Sequence, residues 1–329
     1  MTISRMCITV SMALLPALTL GAENYQPPRT VTGKPDLQGY WSNASLTRMT
    51  RPRNFAELVI PADQVPGLTA EHPQNVRQAT DDGLVPGQLL DGSDLAQGRG
   101  YNAFWVDPGT SYGVVRGSSR TSWIVEPDDG QIPWSEAGRV QRDQLAVRFS
   151  GTAGPEARAL GERCLIATGN SAGPPMNNTL YNNHYQFVQT DDYLLIMVEM
   201  VHDVRIIPID RNHRPEGLQQ WFGDSVGWWE GDSLVVETVN MHPQLGPRNS
   251  APLSTEGKVI EKFTRYSDSQ ILYEFEVIDP VYYAQSWRGE MSFNAMAEGE
   301  VPYEFACHEG NYALPGILAG ERRLEVESE

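Results

Sequence analysis

The feature that most constrains this chain is a train of short, strand-like runs filling its second half: "HYQFVQT" (184–190), "YLLIMVEMV" (193–201), "VRIIPID" (204–210), "SVGWWE" (225–230), "SLVVETV" (233–239), "KVIEKFTRYS" (258–267), "QILYEFEVI" (270–278), "SWRGEMSFN" (286–294) and "VPYEFAC" (301–307). Several of the breaks between them are turn chemistry, "DD" at 191–192, "GD" at 231–232, "SDS" at 267–269 and "EGE" at 298–300, so neighbouring runs join as antiparallel hairpins. An open sheet of eight or nine such strands leaves two costly edges, and curling the sheet into a barrel removes them. The expected fold is therefore mainly β, an antiparallel up-and-down barrel of about eight strands.

Alternation supports this reading unevenly. In "QILYEFEVI", Ile271, Tyr273, Phe275 and Val277 share one face while Glu274 and Glu276 take the other, which is one dry and one wet face. "KVIEKFTRY" is less clean, because Val259 and Phe263 share their parity with Glu261 and Arg265. A barrel of this size has room for packed side chains or one small ligand, which makes a site in its mouth the default expectation.

The first half reads differently. Residues 1–22 carry Arg5, the apolar run "MCITVSMALLPALTL" and a small-residue end at "LGA", the pattern of a secretory signal peptide. From 23 to 160 Pro, Gly, Asn and Asp interrupt the chain every few residues, as in "DDGLVPGQLLDGSD", so this part reads as loops packed on a barrel formed by 161–329. It offers one short strand in "PDLQGYWSN", Leu37 to Trp41, a strand, turn and return in "SRTSWIVEPDDGQIPW" (119–134), and one helix in "SEAGRVQRDQLAVRFSG" (135–151), with Ser135 to cap its start and Gly151 to end it.

Charge narrows the partners. Net charge is −17, from 42 acidic against 25 basic residues, and only Lys34, Lys258 and Lys262 are lysines. A surface this acidic disfavours nucleic acid and anionic lipid, and no later segment is apolar enough for membrane insertion. Cys7 lies in the leader; the remaining pair, Cys164 and Cys307, is most simply a disulfide in an oxidising compartment, with two buried thiols as the alternative. The expected location is periplasmic or secreted.

The stretches "PDLQGYW", "IVEPDDGQIP", "GPPMNNTLYNNHYQFVQT", "EMVHDVRIIPID", "GDSVGWWEGDSLVVET" and "ACHEGNYALPGIL" together resemble a large group of exported bacterial proteins that share these motifs. The resemblance runs from Pro35 to Gly320 and implies membership, with no reaction attached. Two departures from the shared pattern are "DRNH" at 210–213 in place of "DGRPH", and Trp228 in place of a small or basic residue. "GYW" and "TDDY" add a likeness to lipocalins that is architectural only.

Candidate chemistry centres on "EMVHDVRIIPID" (199–210), where Glu199, His202, Asp203 and Arg205 interrupt an apolar run. As one strand, Glu199, Asp203 and Arg205 point one way and His202 the other; a bulge near His202 would bring it round beside them. Either an Arg–carboxylate pair closes the barrel end, or the group works as acid, base and charge stabiliser. "CHEGNY" (307–312) places His308, Glu309 and Asn311 at the rim, as a second acid–base pair or as a capping turn. Tyr181, Asn182, Asn183, Asn311, Trp221 and Trp287 are candidates for holding a substrate. The string GxSxG occurs at Ser111, Ser171 and Ser225 without the strand-to-helix setting of a nucleophile elbow, and no HExxH, P-loop or dinucleotide fingerprint is present.

The leading expectation is a cofactor-independent acid–base enzyme, a lyase or isomerase acting on a small, partly apolar organic molecule. His202, Arg205, Glu199, Asp203, His308 and Glu309 are its catalytic candidates, with no metal. The alternatives are a periplasmic carrier using the same cavity without turnover and a metal-assisted hydrolase.

Overall fold

The computed structural model describes residues 25–82, 106–215, 218–242 and 251–328; the leader expected at 1–22 lies outside them. Among the described residues there are twelve strands: β1 Gly39–Ser42, β2 Val114–Val115, β3 Ser118–Ser119, β4 Ile124–Glu126, β5 His184–Gln189, β6 Tyr193–Val198, β7 Val204–Pro208, β8 Asp224–Glu230, β9 Ser233–Val239, β10 Lys258–Ser267, β11 Gln270–Ile278 and β12 Trp287–Ala295. The helices are α1 Val65–Ala70, α2 Pro73–Asp82, α3 Glu136–Arg148 and α4 Ala313–Ser328.

Nine strands form one antiparallel path, β7-β6-β5-β1-β12-β11-β10-β9-β8, with β4 added to β12. The two ends of the path meet at a single parallel bridge between Ile209 and Gly227, where Asp210 N–H donates to Gly227 O at 2.8 Å. The protein is thus a nearly closed β-barrel. β10 and β11 occupy the expected residues 258–267 and 270–278, and β11 buries Ile271, Tyr273, Phe275 and Val277.

Four local expectations differ. β1 does not decorate the barrel but fills a slot between β5 and β12, with Trp41 2% exposed and its indole N–H on Leu37 O; the loop-rich part thus supplies a barrel strand. "VPYEFAC" forms no strand, because its backbone runs past the turn after β6 instead of along β12. The 119–134 segment is no self-paired hairpin: Ile124–Glu126 pairs with β12, and Trp134 bridges Tyr283. α3 starts as expected, Ser135 Oγ accepting from Gly138 N, but it ends at Phe149, ahead of Gly151.

The barrel has no lumen. Its centre holds the aromatic cluster of Tyr185, Phe187, Phe263, Tyr273 and Phe293, with ring centroids 4.9–5.9 Å apart. The segment "SAGPPM" (171–176) threads in beside them; Ser171, Ala172 and Met176 are at most 1% exposed. A buried loop needs partners for its backbone groups, and two interior tyrosines supply them. Tyr185 Oη donates to Ser171 O at 3.0 Å, and Met176 N–H donates to Tyr273 Oη at 2.8 Å. A cavity in the barrel mouth, the default expectation, is replaced by this plug.

Candidate functional site

The stretch 199–210 is not one strand. Met200–His202 form a one-turn helix in which Val201 and His202 take left-handed backbone angles, φ 59° and 45°, and this turn joins β6 to β7. It resets the alternation, so β6 buries Leu194, Ile196 and Val198 whereas β7 buries Arg205 and Ile207. His202 lies on the outside of the turn and is exposed, while Arg205 points into the barrel. The common cavity expected for His202 and Arg205 is therefore not formed; the turn sends the imidazole to solvent instead of round beside the guanidinium.

Arg205 meets Glu261, the residue whose parity broke the alternation of β10. The guanidinium grips both carboxylate oxygens, Nη1 to Oε1 at 2.9 Å and Nη2 to Oε2 at 2.5 Å, with the two side chains 1% and 0% exposed. Tyr273 Oη donates to Glu261 Oε1 at 2.8 Å, and Ala172 O accepts from Arg205 Nη1 at 3.3 Å. Burial alone would lower the guanidinium's pKa, but the Glu261 charge outweighs it and holds it above the ordinary arginine value; burial and the same carboxylate push the Tyr273 hydroxyl well up. A pair this enclosed and this fully bonded joins β7, β10, β11 and the plug. It is not placed to stabilise charge on a substrate in a lumen.

Glu199 and Asp203 are also buried, each against a different element. Glu199 Oε2 lies 2.7 Å from His184 Nδ1 and Oε1 accepts from Tyr303 N–H at 2.9 Å. Burial alone would raise its carboxyl, but His184, Tyr303 N–H and the Asn182 amide hold it below the ordinary glutamate value; the Glu199 hydrogen bond raises His184. Asp203 Oδ2 accepts from Ala167 N–H at 2.7 Å, and burial pushes its pKa up to about 7. These carboxylates tie the turn to the C-terminal segment and to the approach of the plug.

The other candidates fall out as follows. Cys164 and Cys307 form the disulfide, with Cα atoms 5.8 Å apart. Asn183 is buried, its amide donating to Thr179 O and accepting from Thr179 N–H, so it braces a loop. Tyr181 stacks on Phe305. Asn311 donates to Glu162 O and accepts from Leu314 N–H at the start of α4. His308 and Glu309 are exposed on the turn after Cys307, and Tyr303 N–H, not either of them, reaches the 199–205 cluster. Trp287 is core, 0% exposed and edge-on to Phe275 and Tyr283, so it lines no site. Among the described residues, no three of His, Cys, Asp and Glu group closely enough to hold a metal.

Of the candidates, Arg205 and Trp221 do share a cavity, outside the barrel at its incompletely closed seam. A cleft of about 490 Å³ opens between β7 and β8, lined by Val204, Ile206 and Pro208 on one side, Asp224 and Ser225 on the other, and Arg214, Trp221, Phe222 and His242 from the connecting loops. The register explains why it is polar. Asp203 O and Ile209 N–H face β6, so odd residues of β7 pair with β6 while the N–H groups of Val204 and Ile206 face the seam and find no partner among the described residues. Ser225 Oγ lies 2.7 Å from Thr238 Oγ1, both 3.5 Å from Arg205 Nη2, which makes the deep end hydroxylic.

Around this floor stand titratable groups that sequence reasoning passed over. His242 packs on Trp221 with ring centroids 4.1 Å apart, and burial lowers its pKa below the ordinary value of 6.5. Asp224, 5% exposed, accepts from Arg214 N–H at 2.7 Å and lies 2.9 Å from His213 Nδ1, while His213 Nε2 sits 3.3 Å from Glu237. His213 belongs to the "DRNH" departure, which thus shapes the rim of the cleft. The first glycine of "GDSVG" is conformational: Gly223 has φ +70°, and a Cβ there would lie 2.6 Å from Val239 O. The only signals in the sequence were an Asp–Ser pair opening a strand and a His just past the end of another.

No protein-family model, no curated protein and no solved structure matches the chain. The fold is a plugged, nearly closed antiparallel β-barrel with a polar cleft at its seam. No helix among the described residues is long and apolar enough to cross a membrane.

Proposed function

We propose that this is an exported enzyme of the acid–base type, lyase or isomerase in character, acting on a small, partly apolar organic molecule held in the seam cleft. The observation that carries the reading is the polarity gradient of that cleft. Its deep end presents Ser225, Asp224 and the seam-facing backbone N–H groups of β7, while its walls are Trp221, Phe222, Val204 and Ile206. A carrier would place apolar surface deep and charge only at the rim; this cleft has polar groups at its deep end as well.

Roles follow from the chemistry of each group. His242, kept neutral at neutral pH by burial, takes a proton from the substrate and returns it at a second position or to a leaving oxygen. The Arg214 guanidinium and the β7 N–H groups face the oxygen on which negative charge develops. Arg205, locked on Glu261, positions the Ser225 and Thr238 hydroxyls. The disulfide fits an oxidising compartment and hence export.

The test needs no prior substrate. Small aryl and alkyl ketones and hydroxy acids that perturb Trp221 fluorescence are incubated with the mature protein in D2O, and deuterium uptake is read by mass spectrometry. Uptake into at least one ligand, lost about a hundredfold in His242→Ala with binding held within about tenfold, is the expected result. Ligands that bind at the cleft and never exchange would make it a carrier.

A further inference from the structure

A second cleft, of about 570 Å³, lies away from the seam, between the loop after β1, the start of α2 and the chain leaving the plug. Leu46, Met49, Pro73, Pro108 and Leu180 give it apolar walls, and among the described residues no Asp or Glu lines it. That composition is unusual in a chain with 42 acidic residues against 25 basic ones. Two arginines, Arg48 and Arg77, line the same space, and neither has a carboxylate partner among the described residues. The buried arginines Arg205 and Arg120, by contrast, are matched with Glu261 and Glu290.

The remaining polar groups orient in the same sense. His72 Nδ1 accepts from Gln74 N–H at 3.2 Å, so a neutral ring carries its proton on Nε2 as a donor. Burial, and then the charge of Arg48, lower its pKa. Gln74 also opens α2, whose N-terminal end adds positive potential to this side of the cleft. Asn178, by contrast, is spent on the scaffold, accepting from Trp123 Nε1 and donating to Ser45 O and Thr47 O.

We propose that this cleft is a binding site for a small organic carboxylate, its anionic head between Arg48 and Arg77 and its apolar body against Leu46, Met49 and Leu180. Arginine suits this task because its planar donors match a carboxylate, and the apolar walls select against inorganic anions, which bring nothing to cover them. The site is independent of the seam cleft, with which it shares no lining residue.

Isothermal titration of the mature protein with phenylbutyrate, with its neutral amide and with inorganic phosphate tests the assignment. Phenylbutyrate should bind at least about tenfold more tightly than the amide or phosphate, and Arg48→Gln or Arg77→Gln should each weaken it by about tenfold or more. Arg214→Gln, in the other cleft, should leave its affinity unchanged. Arg48 is exposed and Arg77 half-buried, and neither has a carboxylate partner among the described residues, so an unchanged thermal midpoint is expected and separates lost binding from lost folding. Equal affinity for acid and amide, phosphate binding as tight as phenylbutyrate, no binding by the wild type, or binding that follows Arg214 instead of Arg48 and Arg77 would each overturn it.

Discussion

Arg205 stands at the boundary between two polar regions, and the regions are built by different rules. Inside the barrel, polar groups are enclosed and mostly bonded: Arg205 on Glu261, Glu261 on Tyr273, Tyr273 on the Met176 amide, with Arg205 Nε, Asn43 Oδ1 and Trp287 Nε1 among the exceptions in the described residues. At the seam, along the outer edge of β7, polar groups are left facing a cleft, among them the N–H groups of Val204 and Ile206. The interior groups hold one packing arrangement together; the seam groups are available to something else. Polarity in a β-barrel is thus no guide to function until it is known what each group is already bonded to.

The sharpest way to break this comparison is to treat an interior residue as a functional one. Glu261→Ala leaves the Arg205 guanidinium buried and unpaired, and should lower stability in urea titration by about 4–5 kcal/mol. Replacing both partners with methionine should restore most of that loss, since no charge then remains to desolvate. If Glu261→Ala unfolds no more easily than wild type, the interior pair is not structural.

Asp203 gives the next largest effect, and its sign is set by burial. Its folded pKa of about 7 lies above the ordinary 3.8, so between these values the folded chain holds a proton that the unfolded chain has released. Stability should therefore fall as pH rises from about 4 through about 7, by about 4 kcal/mol in total. Asp203→Asn should flatten that slope in denaturation curves taken across the range; an unchanged slope would place its origin elsewhere.

His184 and Glu199 form a smaller tie. The raised His184 contributes fully below the ordinary histidine value and loses its contribution as pH climbs through its folded pKa; the lowered Glu199 contributes above the ordinary glutamate value and loses its contribution as pH drops through its own. His184→Ala should cost about 1–2 kcal/mol near neutral pH and less at either extreme. Arg214→Gln, at the cleft, should change stability by less than about 0.5 kcal/mol while abolishing most of any turnover. The acid limb of that turnover should fall below 6.5, because burial lowers His242.

The strands were legible because their alternation and turns are local. β10 and β11 match the apolar runs residue for residue, and the odd parity of Glu261 was visible as a fault in that alternation. Its cause was not, since Arg205 comes from a strand 56 residues away in sequence. β1 was readable as a strand but not as the piece between β5 and β12, a pairing that no local pattern encodes. "SAGPPM" reads as a surface loop from its Pro and Gly content, and becomes a plug only because two interior tyrosine hydroxyls meet its backbone. The cleft was least legible of all, because His242, Arg214 and Trp221 come from connections between strands, where neither periodicity nor spacing constrains position.

Amide hydrogen exchange resolved by residue tests the central contrast most directly. The account predicts that the amides of Val204 and Ile206, facing the seam, exchange quickly, while those of Arg205 and Ile207, paired with β6, and of Met176, bonded to Tyr273 inside the plugged barrel, exchange only through global unfolding. A ligand that protects Val204 and Ile206 and leaves Met176 unaffected would place function at the seam. Fast exchange at Met176, or ligand protection confined to Met176 and its neighbours in the barrel, would contradict the account, because it would mean that the interior opens and is the region that binds.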